Sequence, residues 1–302
     1  KKYDFIENDF QLLPISIKLS SRPIVSFDKG FSFGEDPFND RSWRFWFQNL
    51  SWLPSHLNEL DEIHRQSQFD KIFTTWINHI QDSDHPNPEF FYHDHSLAYR
   101  AMNLLKCIPY ASQNTLNALL EHISDTGILL SSPLEDNALS NHAFDQAIAL
   151  FLVANQLSDS HLLKKTWTSL SLSRLERELE YSFTNDGVHV ENSPSYHHGM
   201  LTNIHKSLNK VLTTVKHKKI KTYLDNLSNS IPYLAWIIRP DGKTPPIGDS
   251  EEKQVSTNLA KEIDIKSFEE GQEGMRVFAD GYAIWKSDEE QFHMTLKSSN
   301  RG

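Results

Sequence analysis

The segment from Asp186 to His198 contains the residue types best suited to transfer a proton. Ser193 followed by Pro194 is typical of a helix start, with serine as the N-cap and proline at the first helical position. Tyr196 then falls in the first turn, where unpaired backbone N–H groups and the helix dipole favour negative charge. This position favours the tyrosinate and predicts an acid–base role. The alternative is a tyrosine that packs under a loop.

A second candidate is His142, near the start of another predicted helix in residues 140–145. Ser140 or Asn141 is suited to be the N-cap of that helix. Asp145 follows His142 by three residues and therefore lies on the same helical face. Because a carboxylate can fix the tautomer and orientation of an imidazole, we expect Asp145 to orient His142. The alternative is a capping asparagine beside a half-buried histidine.

A third polar segment, residues 93–95, has the pattern His-Asp-His and precedes Arg100 on the next predicted helix. Two histidines without a third ligand are weak evidence for a metal, so a polar first helical turn is the preferred interpretation. Arg100 either reaches a cleft and binds a carboxylate or lies on the surface. His197 and His198 diverge by about 100° around a helix, so they are not expected to share one ion.

The overall composition argues against several classes of function. The formal net charge is −10 with the 15 histidines counted as neutral, whereas a nucleic-acid-binding protein needs a basic surface. A cleft can hold its own cations, so this charge does not exclude an anionic substrate. Cys107 is the only cysteine and lies in an apolar run, which favours a buried side chain over a nucleophile. No apolar stretch reaches about 18 residues, so no membrane span is predicted, and residues 1–5 do not resemble a signal peptide.

Hydrophobic periodicity predicts a mainly helical chain from Trp43 to about Trp236, with helices near residues 43–51, 58–80, 95–109, 113–123, 141–156, 161–181, 196–216 and 220–238. Residues 1–40 are extended or irregular, and strands are predicted at 276–279, 282–285 and 291–296. Helical hairpins can pack side by side or close into a ring, and periodicity does not choose between these arrangements. The strands indicate a β-domain that is cut short at Gly302 or completed by another chain.

Taken in order, these segments resemble the heparinase II/III-like polysaccharide lyases and their alginate-lyase relatives. The resemblance rests on residues 41–48, His95 to Asn103, the Asn141-His142 pair, the Asp-Gly…Glu-x-Ser-Pro-x-Tyr-His pattern from Asp186 to His197, and residues 240–242 and 246–250. It implies a mainly α fold, an incomplete (α/α) toroid of helical hairpins followed by the beginning of an antiparallel β-sandwich domain. The implied domains are an extended segment at 1–40, a toroid lyase domain at 41–250 and a truncated β-sandwich domain at 251–302.

The same resemblance implies cleavage of a uronate-containing acidic glycan by β-elimination, without a cofactor or a metal. Asn141 is expected to bind the substrate carboxylate, while His142 and Tyr196 exchange protons. With syn geometry Tyr196 serves as both base and acid, whereas with anti geometry His142 is the base, and both routes stay open. The expected substrate-binding residues are Trp46, His95, Arg100, Glu191 and His197.

Relatives have a further histidine-rich loop in the β-domain, expected after residue 299 and not found before Gly302. A missing C-terminal β-domain or a second chain is therefore expected to complete the site. A glycoside hydrolase stays open, since Asp145, Asp186 and Glu191 offer carboxylates, as does a non-catalytic glycan-binding or capsule-assembly protein. The expected partner is an acidic polysaccharide at a periplasmic or extracellular location. Heparan, alginate, chondroitin-like and capsular uronates all fit this expectation.

Overall fold

The structure is a computed structural model that describes residues 13–19, 22–27, 32–80, 90, 93–191, 193–248, 250–255, 273–278, 281–287 and 292–298. Its contacts divide the chain into two compact units. The first comprises residues 1–138 and 142–174, and the second comprises residues 139–141 and 175–302. The domain boundaries predicted after residues 40 and 250 stay predictions. Among the described residues, no helix has both the length and the apolar character needed to cross a bilayer.

The first unit consists of helices packed around an aromatic core. An antiparallel pair of strands, β1 (Ile15–Ile17) and β2 (Val25–Phe27), precedes the helices. The helices are α1 (Arg41–Gln48), α2 (Leu53–Asn58), α3 (Glu62–Ile80), α4 (Asp94–Cys107), α5 (Gln113–Ser131), α6 (Asn141–Gln156, whose first residue belongs to the second unit) and the first part of α7 (Leu162–Ser182). Trp43, Phe47, Phe73 and Trp76 are fully buried in their core, and burial of such large rings strongly favours folding.

The second unit joins helices to a small sheet. After the end of α7 come α8 (Pro194–Thr214), α9 (Lys218–Asn226), a 3₁₀ turn (Leu227–Ser230) and α10 (Ile231–Ile237). The strands β3 (Gly274–Phe278), β4 (Tyr282–Ser287) and β5 (Phe292–Lys297) form an antiparallel sheet in that order. The buried ring of Tyr233 in α10 contacts Phe278 and Tyr282 edge-on, each at 5.2 Å between centroids. These contacts pack the sheet onto α10.

Two predicted helices differ from the structure for identifiable reasons. Helix α5 continues to Ser131 instead of ending near residue 123. It includes Gly127, a residue of low helix propensity, because Trp167 packs closely against that position. A Cβ on Gly127 would lie 2.6 Å from the ring of Trp167, so only glycine allows this close contact. The single helix predicted at 220–238 is divided into α9 and α10. Pro232 lies in the first turn of α10, where its missing N–H costs nothing.

The predicted strands of the last 30 residues are confirmed by β3, β4 and β5, and their two faces differ. The face toward the unit interior buries Phe278, Tyr282 and Ile284. The opposite face is apolar but exposed, and consists of Met275, Val277, Trp285, Met294 and Leu296. Met275, Trp285 and Met294 are direct neighbours across the three strands. The sheet therefore presents a continuous apolar surface.

Candidate active site

His142 and Asp94 meet at the first turns of two helices in the first unit. Asp94 is the first residue of α4, and His142 is the second residue of α6. Nδ1 of His142 lies 3.0 Å from Oδ2 of Asp94. The same oxygen accepts a hydrogen bond from Nδ2 of Asn137 at 3.2 Å, and Oδ1 accepts one from the backbone N–H of His95 at 2.7 Å. The Asp94 carboxylate is thus held by both oxygens.

These contacts keep Asp94 ionised. Burial raises the pKa of Asp94, but the hydrogen bonds from His142 and from the His95 backbone outweigh burial and bring this pKa well below its usual range. The side chain of Asp94 is 19% exposed, so its charge is partly shielded from water. His93 also lies against this carboxylate, at 3.1 Å from Oδ1 to Nδ1, although burial lowers the pKa of His93. The site therefore contains a fixed negative charge beside His142.

A second histidine–carboxylate pair lies next to the first. Nε2 of His95 lies 2.8 Å from Oδ2 of Asp145, which is buried. Burial first, and the Asp145 carboxylate second, raise the pKa of Tyr99, whose phenol therefore stays protonated and hydrogen-bonds to Asp145. The rings of His95 and His142 stack with centroids 4.1 Å apart and an interplanar angle of 27°.

The expectation that Asp145 orients His142 is wrong. The carboxylate that contacts the His142 ring is that of Asp94. Spacing along α6 correctly places Asp145 on the His142 side of the helix. However, α4 packs beside this face and brings His95 within 2.8 Å of the Asp145 carboxylate. Asp94, 48 residues before His142 in sequence, then lies against the His142 ring. Asp94 and Asn137 are the residues that local sequence patterns did not identify.

Aromatic side chains surround His95 in the same unit. The ring of Phe45 in α1 lies 5.7 Å from the His95 ring, and Trp46 lies edge-on to Tyr99 at 5.1 Å. Trp46 is half-buried, so part of its ring faces solvent. Trp46 and His95, both predicted to bind substrate, therefore belong to one cluster with His142.

Arg100 is buried instead of facing solvent. It is 2% exposed, and its guanidinium lies over the ring of Trp76 at 5.3 Å. One of its nitrogens, Nη1, donates to the backbone carbonyl of Phe90 at 3.5 Å. This burial argues against the predicted contact between Arg100 and a substrate carboxylate, and it indicates a packing role that periodicity did not reveal.

In the second unit, the predicted start of the Tyr196 helix is confirmed. Ser193 is the N-cap of α8, and its hydroxyl accepts a hydrogen bond from the backbone N–H of Tyr196 at 3.4 Å. Pro194 occupies the first helical turn. The side chain of Tyr196 is 39% exposed, although Ser195 and His197 on either side of it are buried. The helix start thus directs the tyrosine outward between two buried neighbours.

His197 is part of the interior. Its Nδ1 accepts the backbone N–H of His189 at 3.2 Å, and its Nε2 lies 3.2 Å from the carbonyl oxygen of Ser230, to which it must donate. Burial lowers the pKa of His197 to about 3 and that of His189 to about 4. His197 is therefore neutral, and both ring nitrogens are used within the protein. This arrangement argues against its predicted contact with substrate.

The remaining predicted residues lie at or near the surface. Glu191 is exposed, and Asn141 is half-buried at the first position of α6. Asn141 and Tyr196 belong to the second unit, whereas His142 belongs to the first. Within the described part of the chain, no group of three or more His, Cys, Asp or Glu side chains is arranged to hold a metal ion.

Comparison with known proteins identifies one family and one fold. A family model described as Heparinase II/III N-terminus matches residues 23–273. Similar solved structures include heparan sulfate lyase HepC from Pedobacter heparinus, at 18% identity and a TM-score of 0.61, covering 91% of this chain and 48% of that chain. A structure titled heparinase III has 16% identity, a TM-score of 0.64 and coverage of 91% and 48%. Among curated proteins, no match is found.

These structures are longer than this chain, which spans about half of their length. At such low identity the likeness shows the fold and does not by itself show an activity. The predicted fold class, mainly α-helical with an (α/α) toroid followed by antiparallel strands, is confirmed by the helices, by β3–β5 and by this likeness. The predicted resemblance to a family is confirmed by the match over residues 23–273.

Proposed function

Because the chain belongs to the heparinase II/III family, we propose that it is a polysaccharide lyase that cleaves a uronate-containing acidic glycan by β-elimination. The observation that carries this proposal is the position of Tyr196. Tyr196 is 39% exposed in the first turn of α8, while the residues on both sides of it are buried. An exposed tyrosine in the first turn of a helix lies where backbone N–H groups and the helix dipole favour its tyrosinate, which suits proton exchange with a bound sugar.

The proposed reaction breaks a glycosidic bond without water. A base removes the proton from C5 of the uronate, and the electron pair of that C–H bond forms the C4–C5 double bond. The bond between C4 and the bridging oxygen breaks, and an acid protonates this oxygen. Because the intermediate spreads charge onto a carboxylate that is already negative, a hydrogen-bond donor at the carboxylate lowers the barrier.

Three side chains have the chemistry for these steps. The amide of Asn141 can donate to the uronate carboxylate, since it lies half-buried at the first position of α6. His142 is a base in the anti route, and Tyr196 is then the acid, whereas in the syn route Tyr196 performs both transfers. Each acid or base of this kind contributes about 10²–10⁴ in rate.

The rest of the substrate is proposed to bind beside these groups. Trp46 offers a partly exposed ring on which a sugar can stack. His95 is next to His142, and Glu191 is an exposed acceptor for sugar hydroxyls. Arg100 and His197 are left out of the binding set because both are buried. An extracellular or periplasmic location is proposed, because such glycans are found outside the cytoplasm.

The proposal is tested by incubating the full chain with a panel of uronate polysaccharides. The panel contains heparan sulfate, alginate, chondroitin sulfate and bacterial capsular uronates. We expect at least one to yield products with a rise in ultraviolet absorbance from the new double bond, and product masses that sum to the mass of the substrate. Products that carry an added water would indicate a hydrolase, and binding without cleavage would indicate a glycan-binding protein. Either result overturns the lyase proposal.

A further inference from the structure

We infer that Asp94 is a positioning residue that holds His142 as the Nδ1–H tautomer, so that Nε2 is the nitrogen that exchanges a proton with the sugar. This inference rests on the proposed function, because it assigns His142 to the chemistry. Beyond that function, Asp94 is assigned the role of orienting His142, and Nε2 is assigned as the ring nitrogen that reacts.

The tautomer follows from the chemistry of the two partners. Nδ1 of His142 lies 3.0 Å from Oδ2 of Asp94. An ionised carboxylate can only accept hydrogen bonds, so the proton of this contact belongs to Nδ1. In a neutral imidazole the other nitrogen then has the lone pair. No described residue hydrogen-bonds to Nε2 of His142, and the side chain is 30% exposed.

The carboxylate itself is held in place by further donors. Asn137 donates to Oδ2, the oxygen that faces His142, at 3.2 Å. The backbone N–H of His95 donates to Oδ1 at 2.7 Å. Asn137 lies in the segment that leads into α6, so it ties the approach of that helix to the first turn of α4. With both oxygens engaged, the carboxylate has little freedom to turn away from the imidazole.

The neighbouring histidine–carboxylate pair of His95 and Asp145 provides an internal comparison. His95 uses Nε2 for its carboxylate, at 2.8 Å from Asp145, whereas His142 uses Nδ1. Two adjacent imidazoles are therefore fixed by separate carboxylates through opposite nitrogens. The ring of His95, 4.1 Å from that of His142, also supports one face of the His142 ring. A change at Asp145 should alter His95 and leave the His142 tautomer intact.

The test measures the tautomer directly in the full chain labelled with ¹⁵N-histidine. In nuclear magnetic resonance spectra of the neutral imidazole, we expect His142 of the wild-type protein to show a protonated Nδ1 and an unprotonated Nε2. Assignment uses His142→Gln, which removes that signal. A wild-type His142 with its proton on Nε2 overturns the inference, whatever the variants show.

Substitutions then connect the tautomer to the reaction. In Asp94→Asn the amide can donate to Nδ1, so we expect the proton to move to Nε2 and kcat to fall by about 10²-fold or more, with KM within about threefold. Asp94→Glu keeps a carboxylate and should restore the Nδ1–H tautomer and part of kcat. Asp145→Asn should change the His95 signals and leave the His142 tautomer as in wild type.

The outcomes separate this inference from the proposed function. An Asp94→Asn protein that keeps the Nδ1–H tautomer, or that keeps the wild-type kcat after changing it, overturns the positioning role. A wild-type protein that has the Nδ1–H tautomer but forms no unsaturated product from any polysaccharide overturns the lyase proposal alone. Because the wild-type tautomer is measured without any substitution, poor folding of Asp94→Asn does not remove the test.

Discussion

Glu178 accepts a hydrogen bond from the backbone N–H of Ser140 at 3.2 Å, one residue before Asn141. Its other oxygen accepts the backbone N–H of Leu139, also at 3.2 Å. Leu139 has a φ of 63°, which is an uncommon backbone conformation for a residue with a branched side chain. Glu178 is 1% exposed, so a buried carboxylate holds the strained turn that leads to Asn141.

We therefore expect Glu178→Gln to destabilise the protein and to slow the reaction. An amide places N–H against N–H at one of the two backbone contacts, and loss of one buried bond to a charged acceptor costs about 1.5–3 kcal/mol. The free energy of unfolding from urea titration and kcat should both fall. Glu180→Gln, an exposed change on the same helix, is the control and should alter neither. Equal behaviour of the two variants would exclude the anchoring role of Glu178.

Acid is expected to destabilise the second unit through His189 and His197. Their pKa values are lowered by burial to about 4 and about 3, whereas an unfolded histidine titrates near ~6.5. As pH falls below that value, the unfolded chain takes up protons that the folded chain does not, so the free energy of unfolding decreases. Between pH 7 and pH 5 the loss is about 2 kcal/mol for each histidine. Urea titrations at these two pH values measure it.

Two substitutions attribute this dependence to buried histidines. His197→Gln should be less stable than wild type at pH 7 but should lose a smaller amount of stability on acidification, because one titrating group is gone. His161→Gln, at an exposed position, should keep the wild-type dependence. If the three proteins lose the same free energy between pH 7 and pH 5, burial of His197 is not the cause.

Gly127 should resist replacement even though it lies inside a helix. An alanine Cβ would lie 2.6 Å from the ring of Trp167 and 2.9 Å from Val153, both of which are buried. We expect Gly127→Ala to destabilise by about 1–3 kcal/mol, because the cost of overpacking exceeds the gain in helix propensity.

Gly199 in α8 is the matched control for Gly127. It is exposed, and a Cβ there would meet nothing within 4 Å. Gly199→Ala should therefore stabilise by about 0.5–1 kcal/mol. The measurement is the free energy of unfolding of both variants, which should change in opposite directions. If Gly127→Ala stabilises the protein, Trp167 moves aside without cost and the close contact does not require glycine.

Local features of the sequence predicted local features of the structure well. The Ser193-Pro194 pair predicted the start of α8 because both an N-cap and a first-turn proline act within a few residues. Alternating apolar residues likewise predicted β3 to β5. The prediction ended α5 near residue 123, whereas the helix continues through Gly127, which packs against Trp167, 40 residues later in sequence.

The contacts that define the candidate site were harder to predict. His142 was identified from its place at a helix start, but its carboxylate partner, Asp94, depends on how α4 packs beside α6. Arg100 and His197 were predicted to bind substrate from their side-chain chemistry and their places in the sequence. Only the structure shows that both are buried within the protein. Periodicity indicates which side of a helix is apolar, but not which polar side chain the neighbouring helix will cover.

The initial rate of unsaturated product formation by Tyr196→Phe, compared with Tyr181→Phe, tests the central claim most directly. Tyr181 is 42% exposed and Tyr196 is 39% exposed, so the two variants remove a hydroxyl from tyrosines of similar exposure. We expect Tyr196→Phe to lose about 10²-fold or more of the rate while circular dichroism shows an unchanged fold, and Tyr181→Phe to keep the wild-type rate. Product formation by Tyr196→Phe at the wild-type rate would contradict the proposed role of this tyrosine in β-elimination.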